Sequence, residues 1–400
     1  MPRKVFGFDR QIQTVFVLTF IYTVGGGAVI FMLPLVADRI FNNFFLVGLM
    51  LGVSGAASML SAVPFGALSN HIGRKGVLAM GLFMGVLIGF MIGYAADPLL
   101  FFLFMILVGL GNASVNTAIR SYVMDISPRG QESKYFSVYT TAMSLGFVLG
   151  PLAAGEFMSR GLDAGIYGVS LLFMAACLVS LFVSFSLEES VKGAKVFVKG
   201  FRELVMDDGF YVKSFSDFRH LGLLGLTILL VTALLSLSDR VIWTIEPLYY
   251  NSDIPAFYVG LIMSMFILPY VLFEIPAGFL ADRYGKYNIL LIGLFVSGFS
   301  LIAFGLSTSL ESMVFFAFLS TTGFSMVWPS LSGLLTQISG KYEKGNIVGV
   351  WNFSEDVGFT LGPLLGGFVA YFFDSIGAPF LALGCLVMVS FCVALLVRKA

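Results

Sequence analysis

The sequence predicts an all-α polytopic membrane protein, with twelve transmembrane helices arranged as two parallel six-helix repeats. Three observations carry that expectation. Of the 400 residues, 58% are hydrophobic and 12% charged, where a soluble protein carries about 25% charged residues. Twelve apolar runs approach or exceed the roughly 20 residues that a membrane span requires. A series of landmarks recurs at one offset, 212 residues, between the two halves. A β-barrel would show short alternating segments instead.

The runs fall at about 14–37, 44–69, 76–96, 99–126, 133–158, 165–187, 221–250, 256–281, 288–308, 311–338, 346–372 and 378–397. The basic start, Met1-Pro-Arg-Lys, precedes a run too long for a signal peptide and is read as the entry to span 1. The connection 188–220 carries Lys192, Lys195, Lys199, Arg202, Lys213 and Arg219. It divides the chain into a six-helix bundle (1–187), a central loop (188–220) and a second bundle (221–400). Phe197, Phe201, Leu204 and Val205 in that loop fit an amphipathic helix on the membrane surface. Twelve spans place both termini on one side. Of 23 Lys and Arg, Arg120 and Arg240 lie within spans and Arg39 and Arg160 on the opposite side, leaving 19 on the terminal side. Cations collect in the cytoplasm, so both termini are expected there, in a multi-pass protein of the plasma membrane.

The repeat shows best in two hairpins. Val63–Leu78 holds Gly66, Asn70, Gly73, Arg74 and Lys75; Ile275–Leu290 holds Gly278, Asp282, Arg283, Gly285 and Lys286. Gly66 matches Gly278, Gly73 matches Gly285, and Arg74 matches Lys286. Glycine is expected to permit the turn and close helix contact. Val29-Ile30 matches Val241-Ile242, Gly48 matches Gly260, and Gly111 matches Gly323. The run Gly146-Phe-Val-Leu-Gly150-Pro151 matches Gly358-Phe-Thr-Leu-Gly362-Pro363. Such parallel repeats are expected to hold a binding cavity between the halves, exposed to each side in turn.

With two hairpin motifs, twelve spans and a long central connection, the chain resembles the major facilitator superfamily over essentially its whole length. The resemblance implies the major facilitator fold and a secondary transporter, not an enzyme. It makes the two hairpins gating loops and Gly146, Gly150 and Pro151 with Gly349, Gly358, Gly362 and Pro363 the helix motif associated with exporters. That motif is partial in span 5 and complete in span 11. Asn70 stands where the family has an acid. Met105 stands where drug–proton antiporters of the family carry an Arg.

Polar residues inside spans are costly and normally face a cavity or a partner. Asp239, Trp243, Glu246 and Tyr250 follow one helical face of span 7, with Arg240 beside them and Pro247 expected to kink the helix. Span 11 carries Glu355 and Asp356, expected to face the cavity or to load and release a proton. Glu274 in span 8 is expected in a gating ion pair. Asn112, Asn116 and Arg120 form a polar stripe along span 4. These residues are the expected substrate- and proton-binding groups, with structural pairing as the alternative for Asp239 with Arg240 and for Glu355 and Asp356, and helix–helix hydrogen bonding as the alternative for the span 4 stripe. Cys177, Cys385 and Cys392 share no metal-like spacing and are expected to pack, and His71 and His220 lack metal-ligand company. No nucleotide-binding loop occurs, no cofactor or metal is expected, and zero net charge gives no sign of nucleic-acid binding. The reading is a monomeric permease that moves a small organic solute by alternating access, outward and coupled to protons. A proton-coupled importer of a sugar or organic acid is the rival. A solute receptor without flux and a mover of amphipathic lipid are the further alternatives.

Overall fold

The computed structural model describes residues 10–92, 97–128, 131–190, 222–251, 254–338 and 344–397. The expected surface helix of the central loop lies outside them. The helices are α1 (Arg10–Phe41), α2 (Phe44–His71), α3 (Arg74–Met91), α4 (Pro98–Ile126), α5 (Glu132–Met158), α6 (Leu162–Ser184), α7 (Gly222–Ile245), α8 (Ala256–Met265), α9 (Leu268–Tyr284), α10 (Lys286–Gly305), α11 (Leu310–Ile338), α12 (Lys344–Phe373) and α13 (Ala378–Val397). They supply 12 helices or helix pairs long and apolar enough to cross a membrane, α8 and α9 forming one span together.

Local chemistry sets the ends. Asp97 caps α4 by accepting from the Leu99 and Leu100 amides at 2.9 and 3.0 Å, with Pro98 at the first helical position. Both hairpins turn on a glycine at positive φ, Gly73 at 90° and Gly285 at 95°, a region that a Cβ disfavours. The matched pair Gly66 and Gly278 behaves otherwise. A Cβ there would meet its nearest neighbour at 3.6 and 3.8 Å, an ordinary contact. The close helix approach expected of these two glycines does not occur.

Prolines reshape the second half. Pro247 lacks the N–H that would bond the Trp243 carbonyl. Instead of kinking, the α-helix ends at Ile245 and a 3-10 turn runs Glu246–Asn251. Span 8 is also interrupted. α9 starts after Ile267 with Pro269 in its first turn, whereas the equivalent Ala57 leaves α2 continuous.

The chain forms two compact units. The first contains Met1–Asn42, Val53–Glu203 and Pro255–Gly260; the second contains Asn43–Gly52, Leu204–Ile254 and Leu261–Ala400. In the first, α1 packs on α5 and α6, and α3 on α4 and α6; in the second, α7 packs on α12 and α13, and α10 on α11 and α13. The 212-residue repeat is thus a repeat of packing. Its glycines explain how backbones come together. A Cβ at Gly150 would lie 2.7 Å from the Ala28 amide nitrogen, and one at Gly362 would lie 2.7 Å from the Arg240 Cβ. Gly146 and Gly358 are tighter still, against Thr23 and Ala233. Gly349 lies within α12. The first turns of α2 and α8 obey the same rule. A Cβ at Gly48 would meet Gly367 Cα at 3.0 Å within the second unit, and one at Gly260 would meet Gly155 Cα at 3.4 Å within the first.

The first unit's core gathers Ile12, Leu18, Leu82, Ile119 and Tyr139. In the second, Phe304 lies 5.0 Å from Phe266 and 4.6 Å from Phe380 between ring centroids. Cys177 is buried as expected, but Cys385 and Cys392 are exposed on α13.

Candidate functional site

In the second unit, charged side chains within the spans join a network with all three tryptophans of the chain. The Trp243 indole N–H donates to Asp239, one turn earlier on α7. Arg240 interacts electrostatically with Asp239, and its guanidinium lies 4.5 Å from the centre of the Phe359 ring on α12. That geometry is a cation–π contact, and it leaves the buried Arg240 Nε without a hydrogen-bond acceptor. The Trp328 indole on α11 donates to the Tyr270 oxygen, and Tyr270 interacts with Asp239 and Glu274. Tyr270 occupies the first turn of α9, so the Pro269 interruption places it. Trp328 and Trp351 lie 6.1 Å apart between centroids. Trp351, on α12, donates to Glu355 Oε1 at 2.5 Å. Asp239, Tyr270, Trp328, Glu355 and Asp356 are each partly exposed. The result is a wall of three indoles and three carboxylates with one cation, contributed by α7, α9, α11 and α12, and Asp356 follows Glu355 on α12.

Two expectations stand differently in the structure. Glu246 is fully buried, at the first residue of the 3-10 turn. Glu274 makes no ion pair among the described residues; it is exposed and belongs to the Tyr270 neighbourhood. Eight residues of helix, about 12 Å, separate it from Asp282 at the hairpin. Sequence reasoning missed Tyr270, Trp328 and Trp351. A signal existed for the last, since Asp239–Trp243 and Trp351–Glu355 are both acid–indole pairs four residues apart on one helix.

The first unit holds a second polar cluster, at its hairpin. The Arg74 guanidinium bonds Asp125 Oδ2 at 2.9 Å, at the end of α4, and also reaches the Ser69 hydroxyl. Glu189 accepts from the backbone amides of Arg74 and Lys75 at 2.9 and 3.2 Å. A carboxylate thus sits at the N-terminus of α3, where the helix dipole favours an anion. Ser190 donates to Asp125 at 2.8 Å, and Lys75 Nζ donates to the Phe185 carbonyl at 3.4 Å. Gln11 Oε1 accepts from Tyr122 at 2.8 Å and from the Glu188 amide at 3.2 Å. In the second unit, Lys286 Nζ lies 3.8 Å from Asp282 and donates to the Gly333 carbonyl at 3.3 Å. Arg283 stacks 5.3 Å from the Tyr284 ring centre. On α4, Asn116 donates to Asn112 at 2.7 Å, and Arg120 is exposed one turn further along. The side chain of Asn70 is outside the described set.

Comparison with known proteins follows the same lines. The sequence pattern of the Major Facilitator Superfamily matches residues 15–228 and 228–400. An uncharacterised MFS-type transporter of Methanocaldococcus jannaschii is 22% identical, over 90% of this chain and 92% of that one. A homolog of the multi-drug resistance efflux pump PmrA, from Lactococcus lactis, is 24% identical over 81% of this chain and 78% of that one. Among solved structures, a crystallised variant of the peptide transporter POT superposes with a TM-score of 0.80 at 14% identity, covering 100% of this chain and 96% of that one. At that identity it speaks for the fold alone.

Proposed function

The chain belongs to the Major Facilitator Superfamily, and from that premise we propose that it exports a small organic solute in exchange for protons. It is a multi-pass membrane transporter and not an enzyme. The observation that carries the finer reading is the indole–carboxylate wall of the second unit. Indole faces and a Tyr offer flat apolar surface to a solute. Asp239, Glu274, Glu355 and Asp356 offer charge, and Arg240 offers an unused donor. Asp239, with its indole donor and Arg240 beside it, is the primary binding carboxylate. The export direction is supported by the full glycine–proline motif of α12 and by the Lactococcus relative, whose name describes an efflux pump homolog. The two hairpins act as gating loops. We place both termini in the cytoplasm on the distribution of Lys and Arg, and we read the protein as a monomer of the plasma membrane.

The test has two steps. Thermal melting of the purified full chain against metabolites and drugs identifies a ligand. Flux of that ligand is then measured in proteoliposomes under an imposed proton gradient. Solute and proton moving in opposite directions is the expected outcome. Movement in the same direction makes the protein an importer, and binding without flux makes it a receptor.

A further inference from the structure

Arg240 is the cation of the indole–carboxylate wall, and the described residues give its donors no acceptor. It is half-buried on α7, and its buried Nε has no hydrogen-bond partner. The ion pairs among the described residues join Arg39 with Asp163, Arg74 with Asp125 and Lys286 with Asp282, so Arg240 forms none of them. Asp239 interacts with it electrostatically, but the Asp239 carboxyl accepts from the Trp243 indole, and successive residues on a helix diverge by about 100°. Phe359 supplies the other contact, its ring centre 4.5 Å from the guanidinium carbon. A ring attracts a cation through its quadrupole and leaves its donors unused. A charged donor shielded from water without an acceptor is costly, and its presence calls for an explanation.

Packing does not require a cation at this position. The Arg240 Cβ meets α12 at Gly362, where a built Cβ would lie 2.7 Å away. In the first half, Ala28 stands 212 residues earlier, its amide nitrogen 2.7 Å from a Cβ built on Gly150. The seam between these helices therefore closes with a methyl group as well as with the stem of an Arg. Phe359 likewise has an equivalent, Phe147. The ring belongs to the repeat, and the cation is the addition. The second half also fixes where that cation points. The Arg240 stem is held at Gly362, and its head rests over Phe359, one turn earlier on α12. One turn before Phe359, Glu355 accepts from Trp351, which lies against Trp328. The guanidinium thus sits a turn from the indole pair, with donors in a planar fork that matches a carboxylate.

We propose that Arg240 docks a carboxylate of the solute, and that the solute is an amphoteric aromatic molecule. Its carboxylate pairs with the guanidinium, its ring lies on the indoles, and its basic group goes to Asp239. The wall discriminates against molecules with one end only. An aromatic acid gains Arg240 but meets Asp239, Glu274 and Glu355. An aromatic amine gains those groups but leaves the Arg240 donors unmet beside a like charge. Transport of the solute rests on the reading given above, but the carboxylate subsite does not.

Tryptophan fluorescence of the full chain in detergent tests the subsite, because all three tryptophans of the chain belong to the wall. Iodide serves as the anionic quencher and acrylamide as the neutral one, at constant ionic strength. Arg240→Met should lower the iodide quenching constant by about twofold or more and leave the acrylamide constant unchanged. Equal iodide constants in parent and variant overturn the subsite. Phenylalanine, phenethylamine and 3-phenylpropionate, which lack indole fluorescence, are the ligand probes: amphoteric, cationic and anionic forms of one scaffold. Phenylalanine should protect the parent from iodide at concentrations about tenfold or more below the other two. Arg240→Lys keeps the charge without the fork, and it serves where the Met variant does not fold. It should raise the phenylalanine midpoint by about tenfold and leave that of phenethylamine unchanged. No protection by phenylalanine, a phenylalanine midpoint unaltered in Arg240→Lys, or tighter binding of phenethylamine overturns the proposal. If phenylalanine binds through Arg240 but the reconstituted protein moves no solute, the transport reading fails and the subsite stands. If Arg240→Met still exchanges a solute without a carboxylate for protons at the parental rate, the transport reading stands and the amphoteric class fails.

Discussion

The two units share a backbone plan and divide their charges differently. The second unit carries Asp239, Arg240, Glu246, Glu355 and Asp356 within its spans. The equivalents 212 residues earlier are Gly27, Ala28, Pro34, Met143 and Ser144. At the hairpins the balance reverses. Arg74 is tied to Asp125 and Ser69, while Glu189 reaches back to the start of α3. The second hairpin has Lys286 with the highly exposed Asp282 at 3.8 Å and one carbonyl. Backbone packing is symmetric because glycine contacts leave little room for change. Polar side chains are free of that constraint and have specialised. The second unit gathers charge within its spans, and the first ties the start of the central connection to its hairpin.

The shared plan is the easiest part to break. Gly150→Val and Gly362→Val each push a branched side chain into a gap of 2.7 Å. Both should cost about 3 kcal/mol or more, or abolish the folded protein, as overpacking does at its upper range. Gly26 has nothing within 4 Å of a built Cβ, so Gly26→Ala should leave the melting temperature unchanged or higher. Melting in detergent reads all three. A tolerant Gly362 beside an intolerant Gly150 would mean that the repeat does not extend to its tightest contacts.

Neutralising the wall sharpens the functional half of the comparison. Asp239→Asn should weaken ligand binding by tenfold or more, since a hydrogen bond to a charged group contributes about 1.5–3 kcal/mol. Asn116→Ala, which removes the Asn112–Asn116 bond of the first unit, should cost no more than about 1 kcal/mol. Equal losses in a ligand titration would put the binding chemistry in both units.

Arg74→Met against Lys286→Met compares the hairpins. The Arg74 and Asp125 side chains are 13% and 31% exposed, those of Lys286 and Asp282 20% and 74%. Arg74→Met should cost about 1.5–3 kcal/mol of stability, and Lys286→Met about 1 kcal/mol or less. Similar denaturation midpoints for the two variants would remove the asymmetry.

What could be read in the sequence divides along the same line. Spans and repeat were legible because burial in a bilayer imposes length and composition, and because glycine contacts fix spacing. Asp239, Arg240 and Trp243 were legible because charge inside a span is expensive, and the structure brings them together. The full burial of Glu246 was not legible, because periodicity assigns a residue to a helix face but not the neighbours that cover it. Trp328 and Tyr270 were hidden because their pairing joins α11 to α9, 58 residues apart in the chain, and an aromatic in a span usually packs. The hairpin roles of Glu189 and Asp125 were not legible because each acts from a distant segment, with no local pattern.

Asn70 gives the smallest effect and the finest discrimination. Its repeat equivalent, Asp282, lies four residues before Lys286 and pairs with it across the turn. Asn70→Asp should therefore offer Arg74 a carboxylate at the same spacing. That would replace what Asp125 gives the guanidinium, but not what Glu189 gives the Arg74 and Lys75 amides. Glu189→Gln alone should cost about 0.3–1 kcal/mol, the range for a charge at a helix N-terminus. In double-mutant cycles, Asn70→Asp should compensate Asp125→Asn with a coupling of about 0.5 kcal/mol or more, while its effect with Glu189→Gln should be additive to within about 0.3–0.5 kcal/mol. Denaturation of the full chain in one detergent reads both cycles. Should Asn70→Asp rescue Glu189→Gln as well, the two carboxylates serve one interchangeable role at the hairpin. Side-chain pairing and helix capping would then not be separate, and the first hairpin would be braced simply by negative charge near Arg74.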